Sequence, residues 1–277
     1  MKERIITGAI LVAIVVALFL LPANISKIAI AVVVAIIATL AYKEIIDLRN
    51  HNKKPYPNLI KGLGFVCLML IVFNRLNASF IFSGVSFASI GLTILLLVIP
   101  SIFAKKDTYT TKDAFYLIGI IIMIGLFFSI LMLLFVENKW LLLYLLLIGT
   151  MTDTFAMLIG CLIGKHKLIP EVSPKKSVEG SISGSLVATV IGSIYYCNVL
   201  TTENFVIDLL PLIAMTLVLS ILGQLGDLFF SKIKREHDIK DFSNLMPGHG
   251  GILDRFDSMT FIVFGYIIII NIMNIIK

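Results

Sequence analysis

The chain has 277 residues, of which 58% are hydrophobic and only 14% are charged, and its mean hydropathy is +1.01. These values exclude an ordinary soluble domain and predict an integral membrane protein. The formal net charge is +6. The apolar runs are continuous rather than alternating, so we expect spanning helices and not the strands of a barrel.

The apolar runs predict an all-α fold, a polytopic membrane bundle of about nine transmembrane helices. In chain order they are Ile5–Leu21, Ile25–Tyr42, Leu59–Phe73, Phe80–Phe103, Phe115–Val136, Trp140–Ile163, Ser181–Leu200, Phe205–Phe230 and Ser258–Ile276. The first run has basic flanks like a signal peptide, but no small-residue cleavage site follows it, so we expect a retained helix. We find no internal repeat, and we expect residues 1–277 to form a single membrane-embedded domain.

The positions of Lys and Arg predict the orientation, because cytoplasmic loops carry an excess of these residues. Most of them fall in inner segments when the N-terminus is placed inside, notably in 165–176 and 232–255. We therefore expect a multi-pass protein of the cell membrane with a cytoplasmic N-terminus and an outer C-terminus.

Polar residues interrupt two of the apolar runs, where lipid would penalise them. In the eighth run, Ser220, Gln224, Asp227 and Ser231 follow helical spacing, so they should form one stripe that faces the bundle interior. In the sixth run, Asp153 lies among threonines. Each aspartate either belongs to a functional pocket or makes an interhelical bond that only holds helices together.

The stretch Ser231–Asp257 contains most of the candidate catalytic residues. Asp254 and Asp257 are three residues apart at the start of the last run, which places both carboxylates on one face of a helix. With Asp227 they would form an oxygen-rich site suited to Mg²⁺, and a second cation is also compatible. The alternative explanation of the pair is a favourable negative charge at a helix N-terminus.

The same stretch contains residue types that bind phosphate. His249, Gly250 and Gly251 precede the last run, and a glycine-rich turn before a helix can cradle a phosphate group. Taken alone, a glycine cluster is more often just a tight turn. The candidate anion ligands in this stretch are Lys234, Arg235, Lys240 and Arg255.

A second inner loop precedes the seventh run and carries Ser173, Lys175, Lys176 and Glu179. These residues are suited to the polyphosphate of a nucleotide, but juxtamembrane lysines also bind anionic lipid without specificity. The small-residue spacing of Gly180 and Gly184 is compatible with close helix contacts, including those of a homodimer.

Together these segments resemble the signature of the phosphatidate cytidylyltransferases, the CDP-diacylglycerol synthases. The matching residues, at the family's intervals, are Ser231, Lys234-Arg235, Lys240-Asp241, His249-Gly250-Gly251 and Asp254-Arg255-Phe256-Asp257. Two further segments look like family motifs, 173–180 with Ser177 in place of Thr and 153–157 with Met157 in place of Tyr.

The resemblance implies transfer of the cytidylyl group of CTP to phosphatidic acid, which gives CDP-diacylglycerol and pyrophosphate. As a hypothesis, Asp227, Asp254 and Asp257 hold Mg²⁺ and act in catalysis together with Lys234, Arg235 and Arg255. The residues assigned to substrate binding are Asp153, Ser173, Lys175, Lys176, Glu179, Ser231, Lys240, Asp241, His249, Gly250 and Gly251. We expect CTP, phosphatidic acid and the lipid bilayer as partners, no nucleic acid, and a catalytic portion at about 150–260.

Three other functions are alternatives to this one. A secondary transporter would place acidic residues near the bilayer midplane in two related halves, whereas here the charges cluster at one face. A CDP-alcohol phosphatidyltransferase would carry a DGxxAR…G…DxxxD arrangement, which this sequence lacks. A cytidylyltransferase for another membrane lipid phosphate, such as a polyprenyl phosphate, is compatible with the same residues.

Overall fold

The computed structural model describes residues 15–52, 54–74, 87–105, 108–200, 208–246, 248 and 250–276, together with residues 8, 9 and 13. Five helices in this part of the chain are long and apolar enough to cross a membrane, at Ile25–Arg49, Thr111–Ile163, Val178–Leu200, Leu209–Glu236 and Leu253–Met273. The all-α membrane fold is therefore confirmed, whereas the number of about nine spans is not established.

The elements follow the predicted order. They are α1 (Ala23–Asn52), α2 (Asn58–Phe73), α3 (Phe87–Phe103), α4 (Thr111–Ile163), β1 (Lys167–Ile169), β2 (Ser173–Ser177), α5 (Val178–Tyr195), α6 (Leu209–Glu236) and α7 (Leu253–Ile276). A π-helical turn at Tyr196–Leu200 extends α5. Parts of the predicted spans Ile5–Leu21, Phe80–Phe103 and Phe205–Phe230 lie outside the described residues.

The long helix α4 consists of two helices joined at a kink. A straight helix of 53 residues would be about 80 Å long, far more than a hydrocarbon core of about 30 Å requires. Asn138 has a non-helical backbone, with φ −151° and ψ 92°. Its side-chain oxygen accepts hydrogen bonds from the N–H groups of Trp140 (3.1 Å) and Leu141 (3.2 Å), so it caps the second helix. The break agrees with the predicted separation of Phe115–Val136 from Trp140–Ile163.

The chain forms two compact units. Unit 1 consists of Met1–Val136 and Asp241–Asp254, and unit 2 consists of Glu137–Lys240 and Arg255–Lys277. The last helix therefore begins in unit 1 and continues in unit 2. The expectation of a single membrane-embedded domain stays a prediction.

Unit 1 contains a buried ion pair. Arg49 Nη1 lies 2.9 Å from Asp113 Oδ2, and the two side chains are 6% and 8% exposed. The guanidinium also donates to the carbonyl oxygens of Lys54 (2.8 Å) and Thr108 (3.0 Å) and lies 4.2 Å from the ring centre of Tyr56. These contacts replace the hydration that a buried guanidinium loses, so the pair holds three segments of unit 1 together.

Small residues let the helices of unit 2 approach closely. A Cβ atom on Gly180 would lie 2.9 Å from the Cα of Gly160, and one on Gly184 would lie 2.6 Å from the carbonyl oxygen of Thr152. The backbone of α5 therefore packs directly against α4. The predicted small-residue spacing thus serves a contact within the chain.

A row of polar side chains links α4, α5 and α6. Ser220 Oγ lies 2.7 Å from Thr152 Oγ1 and donates to Ser185 Oγ at 3.0 Å. Gln224 Nε2 donates to Ser185 Oγ at 2.7 Å and to the carbonyl oxygen of Ser181 at 3.0 Å. Ser220 and Gln224 are both buried, so the prediction that this part of the stripe faces the bundle interior is confirmed.

Candidate active site

Three aspartates from three helices of unit 2 lie close together. Asp153 belongs to α4, Asp227 to α6 and Asp257 to α7. The carboxyl groups of Asp227 and Asp257 are within hydrogen-bonding distance, and the charge of Asp227 acts on Asp153. Ser258 Oγ donates to Asp153 Oδ2 at 3.5 Å. The fold therefore gathers into one cluster three acidic residues that are at least 30 positions apart in the sequence.

Glycine residues bring α6 and α7 close enough for this contact. A Cβ atom on Gly226 would lie 2.7 Å from the carbonyl oxygen of Asp257, and one on Gly223 would lie 2.8 Å from Cδ1 of Ile262. Real Cβ atoms do not approach other atoms so closely. A side chain at position 226 would therefore push the backbones apart, whereas one at position 223 would displace the Ile262 side chain. Gly226 directly precedes Asp227, and its lack of a side chain sets the separation of the two aspartates.

Two lysines supply positive charge to the aspartate cluster. Lys176 Nζ, at the end of β2, forms an ion pair with Asp227 Oδ2, and its charge also acts on Asp153. Lys234 is 8% exposed, and its charge acts on Asp257. The cluster therefore combines three carboxyl groups with two amino groups of opposite charge.

A short hairpin presents Lys176. β1 and β2 pair antiparallel, with Lys167 opposite Ser177 and Ile169 opposite Ser173. Ser177 Oγ then accepts a hydrogen bond from the N–H of Gly180 at 3.2 Å and caps α5. The sequence predicts a loop here, because the five residues of β2 include two lysines and a proline and lack the alternating apolar pattern of a strand.

Glu179 supports the beginning of this hairpin. Its carboxylate accepts hydrogen bonds from the N–H groups of Lys165 (3.1 Å) and His166 (3.2 Å), and its Oε1 lies 2.6 Å from His166 Nδ1. These bonds give Glu179 a structural task. Its predicted contact with substrate stays a prediction.

Arg235 makes hydrogen bonds to the backbone of unit 2. Its Nε donates to the carbonyl oxygen of Val172 at 3.4 Å, and its Nη1 donates to that of Ile239 at 3.1 Å. The side chain therefore attaches the turn between β1 and β2 to the end of α6. Phosphate binding by this guanidinium stays a prediction.

The remaining predicted ligands differ in exposure. Lys175, Lys240, Asp241 and Arg255 are exposed, whereas Ser173 and Ser231 are partly buried. His249 lies outside the described residues. The exposed side chains are accessible to a soluble nucleotide, but no contact among the described residues assigns them a ligand.

In unit 1, Asp254 organises residues 241–246, 248 and 250–252, which we name the pre-α7 loop. Asp254 Oδ2 accepts hydrogen bonds from the N–H groups of Phe242 (2.9 Å) and Gly251 (2.8 Å). Gly250 has φ +78°, in the left-handed region that favours glycine, and it pairs with Met246 in an isolated bridge. One oxygen of Asp254 is thus used by the backbone, so the residue has a structural function whether or not it also binds a metal ion.

Glu44 of α1 is a functional candidate that the sequence interpretation missed. Its side chain is buried, and it accepts hydrogen bonds from Ser243 Oγ (2.6 Å) and from the N–H groups of Ile252 (2.8 Å) and Leu253 (2.9 Å). The sequence did contain one indication of this function. Glu44 is an acidic residue two positions after the predicted span Ile25–Tyr42, where a carboxylate needs a partner. Its partners are about 200 positions away, so sequence spacing could not identify them.

The predicted magnesium site of Asp227, Asp254 and Asp257 stays a prediction. Among the described residues, no group of three or more Asp, Glu, His or Cys side chains is arranged to hold a metal ion. The contact between Asp227 and Asp257 nevertheless offers carboxylate oxygens, the ligands that Mg²⁺ prefers. The donor type therefore fits Mg²⁺.

Comparisons with known proteins extend the similarity beyond these motifs. A family model described as the cytidylyltransferase family matches residues 2–273. The chain is 33% identical over 270 residues to a protein of Bacillus subtilis (strain 168) named phosphatidate cytidylyltransferase, with 95% of each chain covered. Proteins of the same name from Staphylococcus saprophyticus and Staphylococcus aureus (strain COL) are 33% and 32% identical over 233 and 237 residues, which covers 82% of this chain and 84% of each relative.

Proposed function

The chain belongs to the cytidylyltransferase family, and we infer that it transfers the cytidylyl group of CTP to phosphatidic acid. The products are CDP-diacylglycerol and pyrophosphate, so the protein is an enzyme of phospholipid biosynthesis. The observation that carries this conclusion is the 33% identity to a named phosphatidate cytidylyltransferase over 95% of both chains.

The chemistry of this reaction agrees with the composition of the aspartate cluster. A phosphatidate oxygen attacks the α-phosphorus of CTP, a new P–O bond forms, and the bond to the leaving pyrophosphate breaks. The attacking phosphate is already ionised, so the enzyme needs no strong general base and must instead bring two anions together. Lys176 and Lys234 are suited to this task, because each places a positive charge beside the aspartate cluster. These charges would reduce the repulsion between the two anionic substrates.

We propose that Asp227, Asp254 and Asp257 hold Mg²⁺. The contact between Asp227 and Asp257 supports two of the three ligands, and the helical spacing of three residues supports the third. Bound Mg²⁺ would neutralise phosphate charge and act as a Lewis acid, and a second cation is compatible with the same acidic set. Lys176 would exchange Asp227 for the triphosphate of CTP, while Asp153 would lie near the lipid head group.

The protein is a membrane protein, and its bacterial relatives indicate the cell membrane. We propose about nine spans with a cytoplasmic N-terminus and a site that faces the cytoplasm, where CTP is found. The short apolar helices α2 and α3 and the break in α4 support a number above five. A homodimer is also compatible with the sequence.

The reaction can be tested directly with purified protein. In detergent micelles with CTP, Mg²⁺ and phosphatidic acid, we expect one pyrophosphate and one CDP-diacylglycerol for each CTP consumed. A parallel assay with polyprenyl phosphate distinguishes the other lipid-phosphate activity, since only the correct acceptor should release pyrophosphate. Absence of product with phosphatidic acid under every divalent cation would contradict the proposed function.

A further inference from the structure

We propose that Glu44 is a positioning residue, which fixes the pre-α7 loop and the beginning of α7 and thereby holds Asp254 in place. The proposal rests on the proposed function, in which Asp254 belongs to the catalytic site. Glu44 lies in α1, about 200 positions before its partners, and acts through Asp254 without contacting the substrates itself.

The hydrogen bonds of Glu44 join the two ends of the loop. Ser243 lies near the beginning of the loop, whereas Ile252 and Leu253 lie where the loop becomes helix. The first N–H groups of a helix have no partner within the helix, so a carboxylate that accepts two N–H groups at this junction stabilises the helix start. All three bonds are between 2.6 and 2.9 Å long, which is the range of well-formed hydrogen bonds.

Gly251 connects Glu44 with Asp254. A Cβ atom on Gly251 would lie 2.5 Å from Glu44 Oε1, so the carboxylate occupies the space that a side chain would need. The N–H of the same glycine donates to Asp254 Oδ2 at 2.8 Å. A shift of Glu44 would therefore be transmitted to Asp254 through a single residue.

Glutamine at position 44 is an informative replacement, because it keeps the size of the side chain and changes its hydrogen bonding. One of the two oxygens becomes an NH₂ group, which cannot accept from a backbone N–H. Either Ile252 or Leu253 then loses its acceptor in a buried place, and the loop must move to recover one.

The test compares Glu44→Gln with Asp113→Asn in the full-length protein. Asp113 is a matched control, because it is also a buried carboxylate of unit 1 and is bonded to Arg49 and Thr110. We expect Glu44→Gln to lower kcat about 10- to 100-fold, since small displacements of a catalytic group have effects of this size. The KM for phosphatidic acid should change much less, and hydrogen exchange in residues 241–254 should increase.

The Asp113→Asn control separates a positioning effect from a general loss of stability. Asp113→Asn should lower thermal stability, as Glu44→Gln does, while kcat and the hydrogen exchange of residues 241–254 stay near the wild-type values. A kcat of Glu44→Gln within twofold of wild type, or an equal loss in both variants, would overturn the proposal.

If Glu44→Gln does not fold, Ser243→Ala removes one of the three bonds from the loop side. A smaller loss of kcat with faster exchange would support the positioning role, and wild-type values of both would refute it. An inactive wild-type enzyme, in contrast, would contradict the proposed function.

Discussion

Asp227 and Asp257 touch each other although they belong to different helices, and Lys176 provides the charge that compensates Asp227. Two carboxylates repel each other, so a contact of this kind requires that the fold hold the groups together and that they share a proton or a cation. Such an arrangement is common at catalytic sites and uncommon in purely structural cores. The contact between the two aspartates therefore favours a catalytic function for this pair.

Replacement of either aspartate by asparagine should abolish most of the activity. We expect Asp227→Asn and Asp257→Asn to lower kcat by about two to three orders of magnitude, because each removes a negative charge that a bound cation requires. Steady-state assays with CTP and phosphatidic acid measure the effect. Asp208→Asn is the matched control, since Asp208 is exposed just before α6, and it should retain wild-type kcat.

Lys176 should matter mainly for nucleotide binding. We expect Lys176→Met to raise the KM for CTP about tenfold or more, because a charged hydrogen bond of this kind contributes roughly 1.5–3 kcal/mol. Lys232→Met removes an equally cationic but exposed side chain of α6 and should leave the KM near wild type. Equal KM values for Lys176→Met and the wild type would remove Lys176 from the CTP site.

The helices of unit 2 depend on close backbone contacts. At Gly180, Gly184 and Gly226, neighbouring backbone atoms occupy the space of a side chain. Sequence spacing identified the first two, because they are four residues apart in a run of small residues. It did not single out Gly226, because what makes that position special is a neighbouring helix and not its own sequence context.

Gly226→Ala tests the separation of α6 and α7. The new methyl group would meet the backbone of Asp257, so we expect a stability loss of about 1–3 kcal/mol together with a loss of activity. Gly119→Ala is the control, because nothing lies within 4 Å of a Cβ atom there and alanine favours a helix by up to about 1 kcal/mol. Thermal unfolding in detergent and turnover should worsen for the first variant and not for the second.

Hydropathy predicted most of the helices, because a continuous apolar run in lipid can satisfy its backbone hydrogen bonds only as a helix. The break near Asn138 was predicted because polar residues separate two runs there. The hairpin at 167–177 and the task of Glu44 were not predicted. The strands of the hairpin lack an alternating apolar pattern, and the partners of Glu44 are about 200 positions away in the sequence. Only the folded structure identifies either feature.

Unit 1 is built from two separate pieces of the chain, Met1–Val136 and Asp241–Asp254. The hydrogen bonds of Glu44 span 199 to 209 positions, so the ribosome adds this carboxylate about 200 residues before its donors. A chain that stops between the two would lack every bond that Glu44 makes to the pre-α7 loop and to the start of α7. We therefore expect such a chain to be inactive even when its earlier helices are inserted.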